Sequence, residues 1–201
     1  MSEINEDDVK EFIKSTVYWF CAIVMLPITI SFILLGILLS RNAVFSAYSQ
    51  VLSLLPGKSG ALLRSGFYRF TTSYCHPNVL IGFGSLLSQY EVCLGKNTYI
   101  GPQCNIGKCK IGQDTLLGSG VHILSGKGQH NFEDLETPIK NQGGTFEQIE
   151  LGDDCWLGNG AIVMANVGSH AIVAAGSVVI ENVPEYAIVA GNPAKIIKMR
   201  K

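Results

Sequence analysis

One stretch of this chain gathers side chains that could move a proton. Between Ser125 and Glu150, the segment GKGQHNFEDLETPIKNQGGTFEQI carries His130 together with Glu133, Asp134 and Glu136. An imidazole with a pKa near about 6.5 takes up a proton at neutral pH and gives it back. A carboxylate beside it holds one tautomer of the ring. The pattern points to general acid–base work by His130, with Asp134 or Glu133 as its orienting partner. The other histidines have plainer settings. His76 precedes Pro77 and His170 lies late in the chain, and both read as structural or exposed. The six cysteines form no CxxC pair and no Cys/His zinc spacing, so no metal is expected and the thiols read as reduced, packed groups.

The flanking residues supply a scaffold for such a loop. Aliphatic residues recur at Ile81, Leu87, Leu94, Ile100, Ile106, Ile111, Leu117 and Ile123, six apart with one interval of seven and one of five. Glycine follows six of these eight. A second run holds Leu151, Leu157, Val163, Val167, Val173 and Val179, with one interval shortened to four. Four positions after the aliphatic residue comes a small one, as at Ser85, Thr98, Cys104, Thr115, Cys155, Ala161, Ala171 and Ser177. Six residues turn an α-helix by about 600°, which would smear the aliphatic positions around the cylinder. The period suits short strands instead, three to a coil of about 18 residues, with the aliphatic side chain inward and the glycine easing the bend. The expected fold is mainly β, a parallel β-helix over 79–185 with the loop 125–150 inserted and 186–201 as a short C-terminal extension. His122, the residue before an inward isoleucine, should point outward.

Upstream the composition changes. Residues 1–14 are acidic, with Glu3, Glu6, Asp7, Asp8 and Glu11. Residues 15–40 contain no charge and exceed the roughly 20 residues needed to cross a bilayer core. They are expected to form a membrane segment, a single span in preference to a re-entrant hairpin turned at Pro27. Lys10 and Lys14 on one flank and Arg41 and Lys58 on the other give no orientation. Residues 41–78 read as an amphipathic linker that caps the next domain and lies on the membrane surface. A net charge of -1 without a lysine or arginine block excludes the electrostatic footprint of a nucleic-acid binder.

Three segments, SGKGQHNF, LGDDCWLGNGAIV and VAAGSVVIENVPEYAIVAGNPAKII, resemble the hexapeptide-repeat acyltransferases of the sugar or polysaccharide O-acetyltransferase type. The resemblance implies a left-handed coil and a homotrimer. It implies that His130 deprotonates an acceptor hydroxyl, which attacks the thioester of acetyl-CoA directly. It places CoA between adjacent prisms, on Trp156, Gly158, Ala174, Ala175 and Gly176, with Lys195, Lys198 and Arg200 toward the phosphates. His122, Asn131 and Gln142 become candidates to line the acceptor cleft. Because acetyl-CoA is cytosolic, the β-helix should face the cytoplasm from the inner or plasma membrane, acting on a sugar or a lipid-linked glycan. A zinc-dependent carbonic anhydrase on a similar coil would need three histidines, and His122 and His130, eight apart, do not fit. A catalytically inactive scaffold at the membrane is the alternative.

Overall fold

The structure, a computed structural model, describes residues 6–200; Glu3 and the rest of 1–5, and Lys201, lie outside the described residues. From Tyr74 onward the chain winds as a three-sided parallel coil. The first turn is β1 (Tyr74–Cys75), β2 (Leu80–Ile81) and β3 (Leu86–Leu87), the second β4 (Cys93–Leu94), β5 (Tyr99–Ile100) and β6 (Asn105–Ile106), the third β7 (Cys109–Ile111), β8 (Leu116–Leu117) and β9 (His122–Ile123). After the inserted loop come β10 (Ile149–Leu151), β11 (Trp156–Leu157) and β12 (Ile162–Val163), then β13 (Ile172–Val173) and β14 (Val178–Val179). The side that would precede β13 has shrunk to a bridge at Val167. The chain closes with β15 (Ala187–Gly191) and β16 (Ala194–Met199), which pair antiparallel. Stacking produces three sheets: β1-β4-β7-β10, β16-β15-β13-β11-β8-β5-β2 and β14-β12-β9-β6-β3.

The sixfold period becomes an inward ladder. Ile81, Leu87, Leu94, Ile100, Ile106 and Leu117 are fully buried, and Val163 and Val173 continue the ladder past the loop. Each such side chain is worth roughly 1.5–3 kcal/mol of transfer free energy. Polar residues in the small slot are buried too, and they bond along the axis. Ser85 Oγ donates to Gly101 O at 2.6 Å, Thr98 Oγ1 to Gly112 O at 3.0 Å and Thr115 Oγ1 to Gly152 O at 2.8 Å. The thiols of Cys104 and Cys155 do the same toward Gly118 O and Gly168 O, both at 3.2 Å. The slot therefore takes serine, threonine or cysteine without leaving a buried donor unmet.

The repeat glycines serve a purpose other than the one expected. They do not ease a bend. A Cβ on Gly82 would stand 2.5 Å from Pro102 N, and one on Gly101 would stand 2.7 Å from Gly118 C. Coils stack too closely at these corners for any side chain.

Four helices precede the coil. The apolar stretch is not one straight helix: α1 (Glu6–Val24) and α2 (Leu26–Leu38) meet at Met25 with a bend of 48°, and no single described helix is long and apolar enough to cross a membrane, although the bent pair together has the length and composition to do so. Pro27, in the first turn of α2, has no N–H to donate and its ring opposes the carbonyl four residues back, which ends α1. The acidic tail is not separate either, because α1 begins within it at Glu6. Residues 41–78 form α3 (Arg41–Ser53) and α4 (Gly57–Thr71), which sit on the first coil. Arg64 of α4 is fully buried there. Its guanidinium donates to Ile81 O at 2.7 Å, Leu55 O at 2.7 Å and Leu52 O at 3.2 Å, and burial holds its pKa below the usual value. Ser65 donates to Val79 O, and Ser49 Oγ accepts the Leu87 N–H at 2.8 Å. These bonds satisfy the first coil's exposed edge, which has no coil beneath it.

Candidate active site

The chain leaves the third sheet after β9 and enters the first at β10, so the loop between them leaves the prism at the edge shared by those two sheets. Its two limbs are zipped by backbone bonds. The N–H of Glu147 donates to Ser125 O at 2.9 Å, that of Thr145 to Gly128 O at 2.7 Å and that of Asn131 to Gly143 O at 2.9 Å. Lys127 pairs with Glu181 at 3.7 Å and ties the root to a later coil. The tip is folded around Gln142. Its side-chain amide donates to Asp134 O at 2.7 Å and Thr137 O at 2.6 Å, and its Oε1 accepts the Asp134 N–H at 3.2 Å.

His130 opens onto the resulting cleft, which has a volume of about 600 Å³ and is also lined by Lys127, Glu133, Asp134 and Asn141. The ring is exposed, and no side chain among the described residues hydrogen-bonds it. Its backbone is fixed by Gly144: a Cβ there would overlap the Gln129 carbonyl and press on the His130 N–H. Sequence reasoning missed Gly144, since nothing in its surroundings distinguishes it from Gly143.

One expected role changes. Asp134 does not orient His130. Its Oδ1 accepts the N–H of Glu136 at 2.9 Å and of Thr137 at 3.3 Å. The Thr137 hydroxyl and then these N–H groups hold its carboxyl below the usual range. Glu133 also lines the cleft and has no hydrogen bond from another side chain among the described residues. Gln142 and Asn131 line the cleft as expected and also brace the loop, their amide N–H groups donating to the loop's own carbonyls, Asn131 Nδ2 to Gln142 O at 3.1 Å. His122 does point outward, on β9 between Asn105 and Ile162. It borders a small recess with Gln129 and Phe146 at the loop's root.

The residues expected to hold CoA lie elsewhere, on the outer face of the second sheet. Trp156 is 53% exposed. Register places Trp156, Ile172, Ile188 and Lys198 in one row across β11, β13, β15 and β16. Lys195 stands opposite Ala190 in the same hairpin. Ala174 lies two residues beyond Ile172 of this row, and Ala175 and Gly176 are exposed at the following corner. Gly158 does not belong with them: it is buried, and a Cβ there would overlap Ala175 N of the next coil. Arg200 is also committed, donating to Asp154 Oδ2 at 3.3 Å and His170 O at 2.7 Å. His170 Nδ1 meets the same carboxylate at 3.0 Å and stacks on Tyr186. The bond from His170, with Arg200 beside it, keeps Asp154 below the usual carboxylate range. His170 is structural, as its sequence setting suggested.

In a triangular prism the edge between the third and first sheets stands opposite the second sheet. The root of the loop and Trp156 therefore lie on opposite sides of one prism. Among the described residues no group of three or more His, Cys, Asp or Glu side chains is placed to hold a metal ion.

Comparison with known proteins returns the same architecture. A maltose O-acetyltransferase from Clostridium difficile 630 superposes with a TM-score of 0.67 at 20% identity, covering 80% of this chain and 88% of the other. A galactoside acetyltransferase in complex with coenzyme A gives 0.53 at 16% identity, covering 79% and 82%. The parallel β-helix is thus the fold of solved acetyltransferases. In sequence, the chain is 30% identical over 126 residues to a probable acetyltransferase of Mycobacterium tuberculosis, 59% of this chain and 38% of that protein. The chain thus spans well under half the length of that curated relative. No protein-family model matches it.

Proposed function

We propose that the chain is an acyl-CoA-dependent O-acyltransferase, with acetyl-CoA as donor and a sugar hydroxyl as acceptor, on the left-handed coil that the sequence resemblance implies. The observation that carries this reading is His130 in an open cleft at the point where the stacked coils are interrupted. The imidazole takes the proton of the acceptor hydroxyl as its oxygen attacks the thioester carbonyl. The tetrahedral intermediate collapses with loss of the CoA thiolate, and the imidazolium returns the proton to it. The products are an O-acyl ester and free CoA. Glu133 is the carboxylate positioned in the cleft to favour the imidazolium.

The second sheet's outer face fits the donor. Trp156 offers an uncovered aromatic surface for the pantetheine or adenine, and Lys198 ends the same row with a cation for phosphate. Since this face and the root of the loop occupy opposite sides of the prism, a complete site needs a second copy, and a homotrimer gives each prism one neighbour's loop. Apolar residues uncovered on the same face support that packing, with Tyr99 and Leu116 next to Trp156 in register.

Attachment to the cytoplasmic face of a membrane, with a lipid-linked glycan as acceptor, completes the reading. The loop leaves the prism two strand spacings, roughly 10 Å, above the capped first coil. An acceptor anchored near that cap would be within reach.

Release of thiol from acetyl-CoA in the presence of candidate sugars tests the activity. Wild type should turn over and His130→Ala should lose about 10²–10⁴-fold in kcat. Full activity in the variant would remove the mechanism, and no CoA binding in the wild type would favour an inactive scaffold.

A further inference from the structure

The apolar helix pair carries more information than membrane attachment alone. Its buried side chains are Cys21, Ala22, Met25, Thr29 and Phe32, a single stripe at helical spacing that runs through the middle of the apolar stretch. That stripe rests on the cap. Gly66 of α4 lies so close to α1 that a Cβ would stand 2.9 Å from Cys21 O. Phe32 packs edge-on against Phe45 and Phe67 with ring centroids 6.0 and 5.8 Å apart, and Ser31 bonds Tyr48 at 2.7 Å. The cap is in turn bonded to the first coil through Arg64 and Ser65. The midpoint of the stretch and the base of the β-helix are therefore one body.

A helix that crosses a bilayer puts its midpoint about 15 Å from either headgroup layer. Here that would carry the cap and its cations into hydrocarbon. Arg69 stacks on Trp19 at 3.8 Å, and Arg41 lies over the Tyr90 ring at 4.1 Å. Both flank the helices on the docked side. Outside that stripe the side chains are apolar and uncovered, including Phe12, Phe20, Ile23 and Ile30, with Ile33 and Ile37 exposed at the margin beside Arg41 and Phe70. One apolar face with cations along its margin is the arrangement of a helix lying in the membrane interface.

We infer that α1 and α2 lie in the plane of a single leaflet, apolar side in the acyl chains, and do not cross. Both ends of the pair then share the side of the membrane occupied by the β-helix. The inference rests on the membrane attachment proposed above and is independent of the acyltransfer chemistry.

Two measurements on the full chain test it. Detergent-free protein mixed with phosphatidylglycerol–phosphatidylethanolamine vesicles should float with them. Phe20→Glu combined with Ile30→Glu, both on the uncovered face, should weaken flotation at least about ten-fold. Protein that stays in solution as an oligomer covering this face, or a double variant that floats as well as wild type, would overturn the proposal. Glu6→Cys and Ser40→Cys bracket the pair. In intact cells an impermeant maleimide should label neither, and both should label after lysis. Labelling of Glu6→Cys but not Ser40→Cys before lysis would show a crossing and overturn it. His130-dependent thiol release, measured alongside, separates failure of this geometry from failure of the enzyme reading.

Discussion

The coils and the loop they carry are built on opposite terms. In the coils every inward position is buried, strand N–H groups pair chiefly with the adjacent turn, and even the serine and threonine slots are bonded along the axis. In the loop almost every residue from Lys127 to Gln148 is exposed, and its bonds are chiefly its own. Stability resides in the first region and the proposed proton chemistry in the second. Substitutions should separate the two properties cleanly.

The largest effect belongs to the loop. His130→Ala should cost about 10³-fold in thiol release while changing unfolding free energy by less than about 0.5 kcal/mol, because the residue is exposed. Ile106→Ala should do the reverse. Truncating this fully buried side chain leaves a cavity between β3 and β9, with an expected loss of about 3 kcal/mol in denaturant unfolding and an unchanged kcat where the variant is folded. An Ile106→Ala protein with normal stability would mean that the ladder is not what holds the prism together.

Gly144 lies where the two regions' rules meet. Gly144→Ala should displace the Gln129–His130 peptide and lower kcat by about 10²-fold. The KM for acetyl-CoA should hold steady, since the Trp156 row lies on another side of the prism. A rise in KM with kcat intact would place Gly144 in donor binding instead.

The same division governs how much was readable in the sequence. The ladder was legible because one inward side chain recurs at every strand, so its period survives substitution among isoleucine, leucine and valine. The small slot was legible as a pattern, though its axial hydrogen bonds were not. The glycines were recognised for their frequency and misread for their purpose, since a missing Cβ looks alike whether it serves a turn or a close approach. Within the loop, His130 stood out by chemical type. The bracing done by Asp134 and Gln142 was not legible, because a side chain that braces its own loop has the same composition as one that binds a substrate. Arg64 was the hardest case. Nothing in an amphipathic linker over 41–78 singles it out, and the unfinished edge of the first coil, with carbonyls such as Ile81 O to satisfy, explains its burial.

A smaller effect compares the helical cap with the coil beneath it. His76 is half-buried where α1 and α4 meet the first coils, with Nδ1 accepting the Asn78 N–H at 3.1 Å. Desolvation, followed by the charges of Lys96, Arg69 and Lys14, holds its pKa below the ordinary value. Those cations belong to the second coil, α4 and α1 respectively, so the ring senses whether the cap is seated. The unfolded chain protonates His76 first as pH falls. Stability from this group is therefore intact above about 6.5 and declines below it until the folded-state pKa is passed. Asp154 acts in a lower window: its carboxyl is held below the usual range, so its contribution disappears only as pH falls beneath about 4. Urea midpoints measured between pH 7.5 and 5 should thus decline in the wild type and flatten in His76→Gln. An unchanged slope in that variant would mean that the cap and the coil are not coupled through this ring.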